Sequence, residues 1–295
     1  MKKKYYLFIF LGLSILSCGE FEEKNPAPVE NQQDVLKADE KINVDVDHTI
    51  FSIPSPVQIA MDLHDSEKGF SKALLHDISA AENYVTSFDK AIMLGIYGTD
   101  LAYCSVYENS TESLNYFGTM KKMADDLNAS YALSESLIER FSKNLNNKDS
   151  LLTLASEAYV QIDEYLKEND NKDIAALVLA GGWIESMYFQ STELLADSSE
   201  SNQLRLAQNK HTLEHFITLI EKVGSNDQFW ELQSMLSDLS TLYKEIPTSY
   251  EYIPSVTDAN SKTTNIMSKS SFETDYMTMK EIANEFINLR NYHIK

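Results

Sequence analysis

The chain has 295 residues, with 25 basic against 45 acidic side chains and a formal charge of −20. Such a charge repels nucleic-acid phosphates and anionic headgroups, and argues against a nucleic-acid partner. Two cysteines, Cys18 and Cys104, are too few for a disulfide-stapled scaffold.

Lys2, Lys3 and Lys4 precede an apolar run from Tyr5 to Leu16, closed by Ile15-Leu16-Ser17-Cys18. A run of about a dozen residues is too short to cross about 30 Å of hydrocarbon as a helix. A charged start, a short apolar run and a small residue at the cleavage point form a secretory signal over residues 1–17. A cysteine directly after the small residue resembles a bacterial lipobox, which implies acylation of Cys18 and a lipid tether to a membrane. The alternative is an ordinary signal peptide with a chance cysteine. Cleavage leaves 22 basic against 45 acidic residues, a formal charge of −23. Cys104, among Tyr103, Ser105 and Val106, reads as a small buried hydrophobe with no electropositive surrounding to activate it.

Residues 18–49 are polar and acidic, with Pro26 and Pro28 and few apolar side chains. They read as a disordered tether after the lipidated cysteine. The acidic residues just after Cys18, interrupted by Phe21, resemble the surface-export signal of Bacteroidetes lipoproteins. The expected location is therefore the bacterial cell envelope, on the periplasmic or outer face of the outer membrane.

From residue 50 to 295 the expected fold is all-α, an antiparallel multi-helix bundle with almost no period-2 alternation. The 3.6-residue spacing predicts helices over 57–64, 87–107, 111–127, 134–145, 151–166 with Asp149 as cap, 173–195, 203–223, 228–246 and 272–292. Pro247 ends the series, and 248–270 reads as a long loop. Within that loop Tyr250, Tyr252 and Ile253 are candidates for an exposed contact.

Two helices read as central. Asp100 is the only charge between Ala91 and Tyr107, and none lies in 174–184, after which Glu185 follows. A helix that is apolar all round is buried on most sides. Ala91, Gly95, Gly98 and Ala102 share one face, as do Ala175, Gly182 and Ser186. A mid-helix glycine costs about 1 kcal/mol relative to alanine, so close helix packing is the expected reason. The alternative is that Gly181-Gly182 opens the helix to a ligand.

An isolated buried carboxylate is costly unless paired or protonated. Tyr97 and Tyr103 flank Asp100 at three residues either side, and Tyr188 stands likewise to Glu185. With Trp183 they form the candidate ligand-binding set, a polar pocket in the core for a cation or small ligand. The alternative is a structural network that fixes helix register.

Ile53-Pro54-Ser55-Pro56, Gly95-Ile96-Tyr97-Gly98-Thr99-Asp100-Leu101, Asp149-Ser150-Leu151 and Gly181-Gly182-Trp183-Ile184-Glu185 resemble the signature segments of an uncharacterised group of Bacteroidetes lipoproteins. The resemblance covers about 53–185. It implies the envelope compartment and the helical fold, and brings no activity with it.

His211-Thr212-Leu213-Glu214-His215 matches the inverted zinc-peptidase motif, with Glu281 and Glu285 at the distance of a third ligand. His211 and His215 are therefore the candidate metal pair. With Leu206, Leu213, Ile217 and Ile220 as the buried stripe, both histidines fall on the solvent side. No catalytic residue and no cofactor is assigned. The first reading is a non-enzymatic binding or structural module with a possible envelope protein partner. The alternative is a metal-dependent hydrolase or small-ligand-binding protein using the buried carboxylates.

Overall fold

Helical periodicity carries through to the computed structural model, which describes residues 42–46, 49–53, 60–61, 64, 69–129, 132–224, 226–258, 263–265 and 268–295. All belong to one compact unit, Leu36–Lys295. The signal sequence, Cys18, the tether up to residue 41 and most of the helix expected over 57–64 lie outside the described residues. The fold class is all-α: nine helices are present among the described residues, with only small strand pairs.

They are α1 (Ser87–Val106), α2 (Ser110–Asp126), α3 (Glu135–Lys143), α4 (Lys148–Glu168), α5 (Lys172–Ala196), α6 (Glu200–Ala207), α7 (Lys210–Val223), α8 (Asp227–Tyr243) and α9 (Tyr276–His293). Two short 3-10 turns, Lys72–Leu74 and Ile78–Asn83, precede α1.

Side-chain caps set many of the starts, each satisfying an amide that the first turn leaves unbonded. Thr86 accepts from the Asp89 amide, Asn109 from Glu112, Ser134 from Leu137 and Asp275 from Met277 and Thr278. The expected cap Asp149 is displaced: Asn147 accepts from the Ser150 amide, and Asp149 lies in the first turn of α4.

Three expectations are corrected. The single helix over 203–223 is two, broken at Gln208 and Asn209. Asn209 is buried there, its amide donating to Arg205 O and Gln190 Oε1 while its carbonyl accepts from Trp183. These bonds hold a break that periodicity alone reads through. The tether does not run to residue 49, because β1 (Ile42–Val46) and β2 (Thr49–Ile53) pair antiparallel with Val46 opposite Thr49. The alternation Ile42, Val44, Val46 is the missed β-branched signal.

The expected loop over 248–270 holds, among its described residues, a ribbon of two antiparallel strand pairs. β3 (Thr248–Glu251) pairs with β6 (Lys269–Phe272), and β4 (Val256–Asp258) with β5 (Thr263–Asn265) inside it. The two pairings are out of step by one residue, the extra residue lying on the strand that carries Pro254. Proline cannot donate to a ladder, and Pro254 lies in the unpaired stretch between β3 and β4. Cross-strand hydroxyl contacts, Ser249 to Ser271 at 2.7 Å and Thr257 to Thr264 at 3.1 Å, stitch this polar ribbon.

At the centre α1 packs on α5, and α1 is buried at every residue from Ala91 to Val106. A Cβ at Gly95 would lie 2.0 Å from Val178 O, and one at Gly181 would lie 2.0 Å from Ile92 O. The backbones touch, so only glycine fits at these two positions. Gly98 departs from the expected shared stripe and faces Tyr159 and Met120. Thr99 and Ser186 both donate to Gly182 O, at 3.0 and 2.8 Å, within an unbroken α5. The Gly181-Gly182 pair therefore serves close packing.

Neighbours in sequence meet antiparallel, as Ser105 against Ser113 and Gly98 against Met120 do between α1 and α2. The central pair does not. Ile92 meets Gly181, Thr99 meets Gly182 and Tyr103 meets Phe189, so α1 and α5 run in the same sense.

Candidate functional site

The parallel crossing of α1 and α5 brings Asp100 and Glu185 together in the core, each with no exposed surface. α9 adds a third charged group. Arg290 donates from Nε to Glu185 Oε2 at 2.8 Å and from Nη2 to Oε1 at 3.0 Å. This two-pronged contact is the strongest geometry available to an arginine and a carboxylate. The guanidinium also lies 4.4 Å from the centre of the Tyr188 ring, a cation–π contact on its outer side.

The residues before α1 close the site as a strap. Asp100 Oδ2 accepts the His76 amide at 3.1 Å, and His76 O accepts the Tyr116 hydroxyl at 2.7 Å. Tyr97 donates to Asp77 O at 3.1 Å, and Tyr103 Oη accepts the Ser71 amide at 3.0 Å. The His76 ring stacks on Tyr97, and its Nε2 lies 2.8 Å from Tyr84 Oη.

The candidate ligand set thus separates. Asp100, Glu185 and Tyr188 converge. Tyr97 and Tyr103 do not give their hydroxyls to Asp100, because backbone groups of the strap take them. Trp183 points elsewhere: its Nε1 donates to Asn209 Oδ1 at 3.4 Å, and its ring stacks on Phe216 at 4.8 Å.

Burial raises Asp100 well above the usual carboxylate range, the nearby Glu185 charge raises it further, and Arg290 opposes both. Burial also raises Glu185, against the pull of Arg290. Burial first, and then the Arg290 charge, lower His76 to about 4. Burial pushes the Cys104 thiol up, so it stays protonated and inert.

A pH dependence follows from His76. Its unfolded-state value is near 6.5, so below that pH the unfolded chain binds the proton more readily than the folded one. This contribution to stability is complete above about pH 6.5 and is lost as pH falls towards 4. Urea unfolding should show a wild-type loss of about 3 kcal/mol across that window relative to His76→Gln. Parallel curves would contradict it.

The candidate metal pair sits on α7 away from this centre. His211 is exposed, with Nδ1 3.1 Å from Glu214 Oε2; His215 is half-buried, and Glu281 and Glu285 are exposed on α9. Among the described residues no group of three or more His, Cys, Asp or Glu is placed to hold a metal. A cleft of about 330 Å³ lies at the end of α9, lined by residues that include Tyr84, Phe88, Asp89, Glu231 and His293.

Sequence reasoning missed Arg290 and His76. Arg290 had a readable signal: it extends the buried stripe Ile282, Ala283, Phe286, Leu289 of α9, where a cation needs a buried counter-charge. His76 had none, because it acts mainly through its backbone. Compared with protein-family models, curated proteins and solved structures, the chain matches none. Among the described residues no helix is long and apolar enough to cross a membrane.

Proposed function

We propose that the chain is a lipid-anchored protein of a bacterial cell envelope that acts by non-enzymatic contact with a protein partner, and that the ribbon over 248–272 makes the contact. The observation that carries the contact is exposed apolar surface on an otherwise polar element. Tyr250, Tyr252 and Val256 are 66%, 72% and 60% exposed, on a ribbon whose other side chains are mostly Ser, Thr, Glu and Lys. Exposed aromatic groups of this kind are enriched at contact surfaces. The charged centre supports the same reading, since Glu185 and Arg290 satisfy each other internally. The lipobox ending at Cys18, and the resemblance to Bacteroidetes lipoproteins, support the compartment.

Two measurements test the two parts. Radiolabelled palmitate should enter the wild type and not Cys18→Ser, and globomycin should block its maturation. A photo-reactive residue at position 252 should cross-link one defined envelope protein in native membranes. Tyr250→Ser with Tyr252→Ser should abolish co-purification of that protein while changing stability by no more than about 0.5 kcal/mol, as surface changes do. Undiminished co-purification would sink the contact.

A further inference from the structure

Asp100 has one oxygen satisfied and one stranded. Oδ2 accepts the His76 amide, whereas Oδ1 is buried with no hydrogen-bond partner among the described residues. The carboxylate beside it is Glu185, buried like Asp100 with no exposed surface. Two ionised carboxylates are acceptors only, so neither can satisfy the other in the core without a proton between them. Both Glu185 oxygens already accept from Arg290, which marks Glu185 as the ionised partner.

The surrounding groups agree. Facing Asp100 are Tyr97 and Cys104 of its own helix, Tyr116 of α2, Glu185 of α5, Arg290 of α9 and His76 of the strap. Burial holds the two tyrosines and the thiol neutral, and His76 is uncharged above about pH 4. Only Glu185 and Arg290 then carry charge, and they cancel. An ionised Asp100 would leave one uncompensated negative charge in the core.

We propose that Asp100 and Glu185 form a proton-binding site, with the proton on Asp100 Oδ1 donated to Glu185, and that its release loosens the strap over residues 70–84. The balance is simple: one proton passes to solvent, and the centre goes from neutral to a charge of −1. That charge must be hydrated. The helices cannot part to admit water, because α1 and α5 are locked backbone to backbone at Gly95 and Gly181. The strap can part. It consists of two short 3-10 turns, and its bonds to the bundle run through the side chains of Asp100, Tyr97, Tyr103 and Tyr116, with two exposed ion pairs, Lys72 to Glu112 and Lys122 to Glu82, at its ends. Segments with few backbone bonds of their own open at the least cost.

Asp100→Asn is the test, because the amide keeps an acceptor for the His76 amide and supplies a permanent N–H donor to Glu185. The folded chain holds its proton above the ordinary aspartate value, so wild-type stability falls as pH rises through that range. The wild-type unfolding constant should therefore rise tenfold per pH unit relative to Asp100→Asn, between about pH 4 and the folded-state value. Hydrogen exchange of the Ser71 and His76 amides, measured against the amides of α5, should accelerate with pH in the wild type and not in Asp100→Asn. The folded wild type should also show an infrared band of a protonated carboxyl that shifts with carboxyl-labelled aspartate and is missing from the variant. Absence of that band overturns the proposal. So does an Asp100→Asn chain that fails to fold or unfolds more than tenfold more readily at neutral pH. Strap exchange that tracks α5 at every pH overturns the release.

Discussion

Arg290→Met should lower stability by about 3–5 kcal/mol, the cost of breaking one side of a buried ion pair and leaving the other charge unpaired. Glu185 has no exposed surface, and the guanidinium, bonded to both its oxygens, is the cation that balances its charge. For a domain of this size the loss corresponds to a fall in Tm of roughly 6–20 °C, readable by circular dichroism. Arg290→Met combined with Glu185→Met should recover most of the loss, because hydrophobic replacement of a whole buried pair is often close to neutral. A fall below about 1 kcal/mol in the single variant would mean that water reaches Glu185. A double variant no better than the single would mean that packing, and not charge, is what Arg290 supplies.

Gly181→Ala should be the second severe change. The added carbon would stand 2.0 Å from Ile92 O and 2.8 Å from Ile92 C, and both are backbone atoms. No rotamer relieves such a clash, so α1 and α5 must separate along a contact that also holds the Thr99 and Ser186 bonds to Gly182 O. The expected cost is at the top of the overpacking range, about 3 kcal/mol. Gly118→Ala is the matched control. Gly118 lies exposed inside α2, and nothing stands within 4 Å of its added carbon. There the same chemical change should stabilise by up to about 1 kcal/mol. Denaturant unfolding of the two variants side by side separates close packing from helix propensity.

The helices were legible because burial on one side imposes a 3.6-residue period, as in 134–145, where Leu137 and Phe141 are buried, or because a long apolar stretch is buried all round, as in 87–107. The central role of Asp100 and Glu185 was legible for the same reason: a lone charge in an apolar helix stands out. Pairing was not. Arg290 lies 105 residues from Glu185, and no local pattern encodes which buried charge meets which. Tyr97 and Tyr103 were assigned to Asp100 by helical proximity, but the backbone of the strap, invisible to any side-chain pattern, competed for their hydroxyls. The ribbon over 248–272 escaped because its strands are three or four residues long and draw on hydroxyl pairs in place of an apolar face. The break at Asn209 escaped because two of the partners that hold it, Trp183 and Gln190, lie on another helix.

The same-sense crossing of α1 and α5 has a bearing on how the chain matures. Two helices that run in one direction cannot be joined by a tight turn, and here α2, α3 and α4 are made between them. The cation that neutralises their carboxylate arrives only with α9, near residue 290. Until α9 docks, the earlier helices wait with their central charge unmet, and long-range closure of this kind slows folding. A chain clipped before α9 would carry every central helix and still lack the group that lets them settle, so completeness of the polypeptide is itself a condition of its assembly.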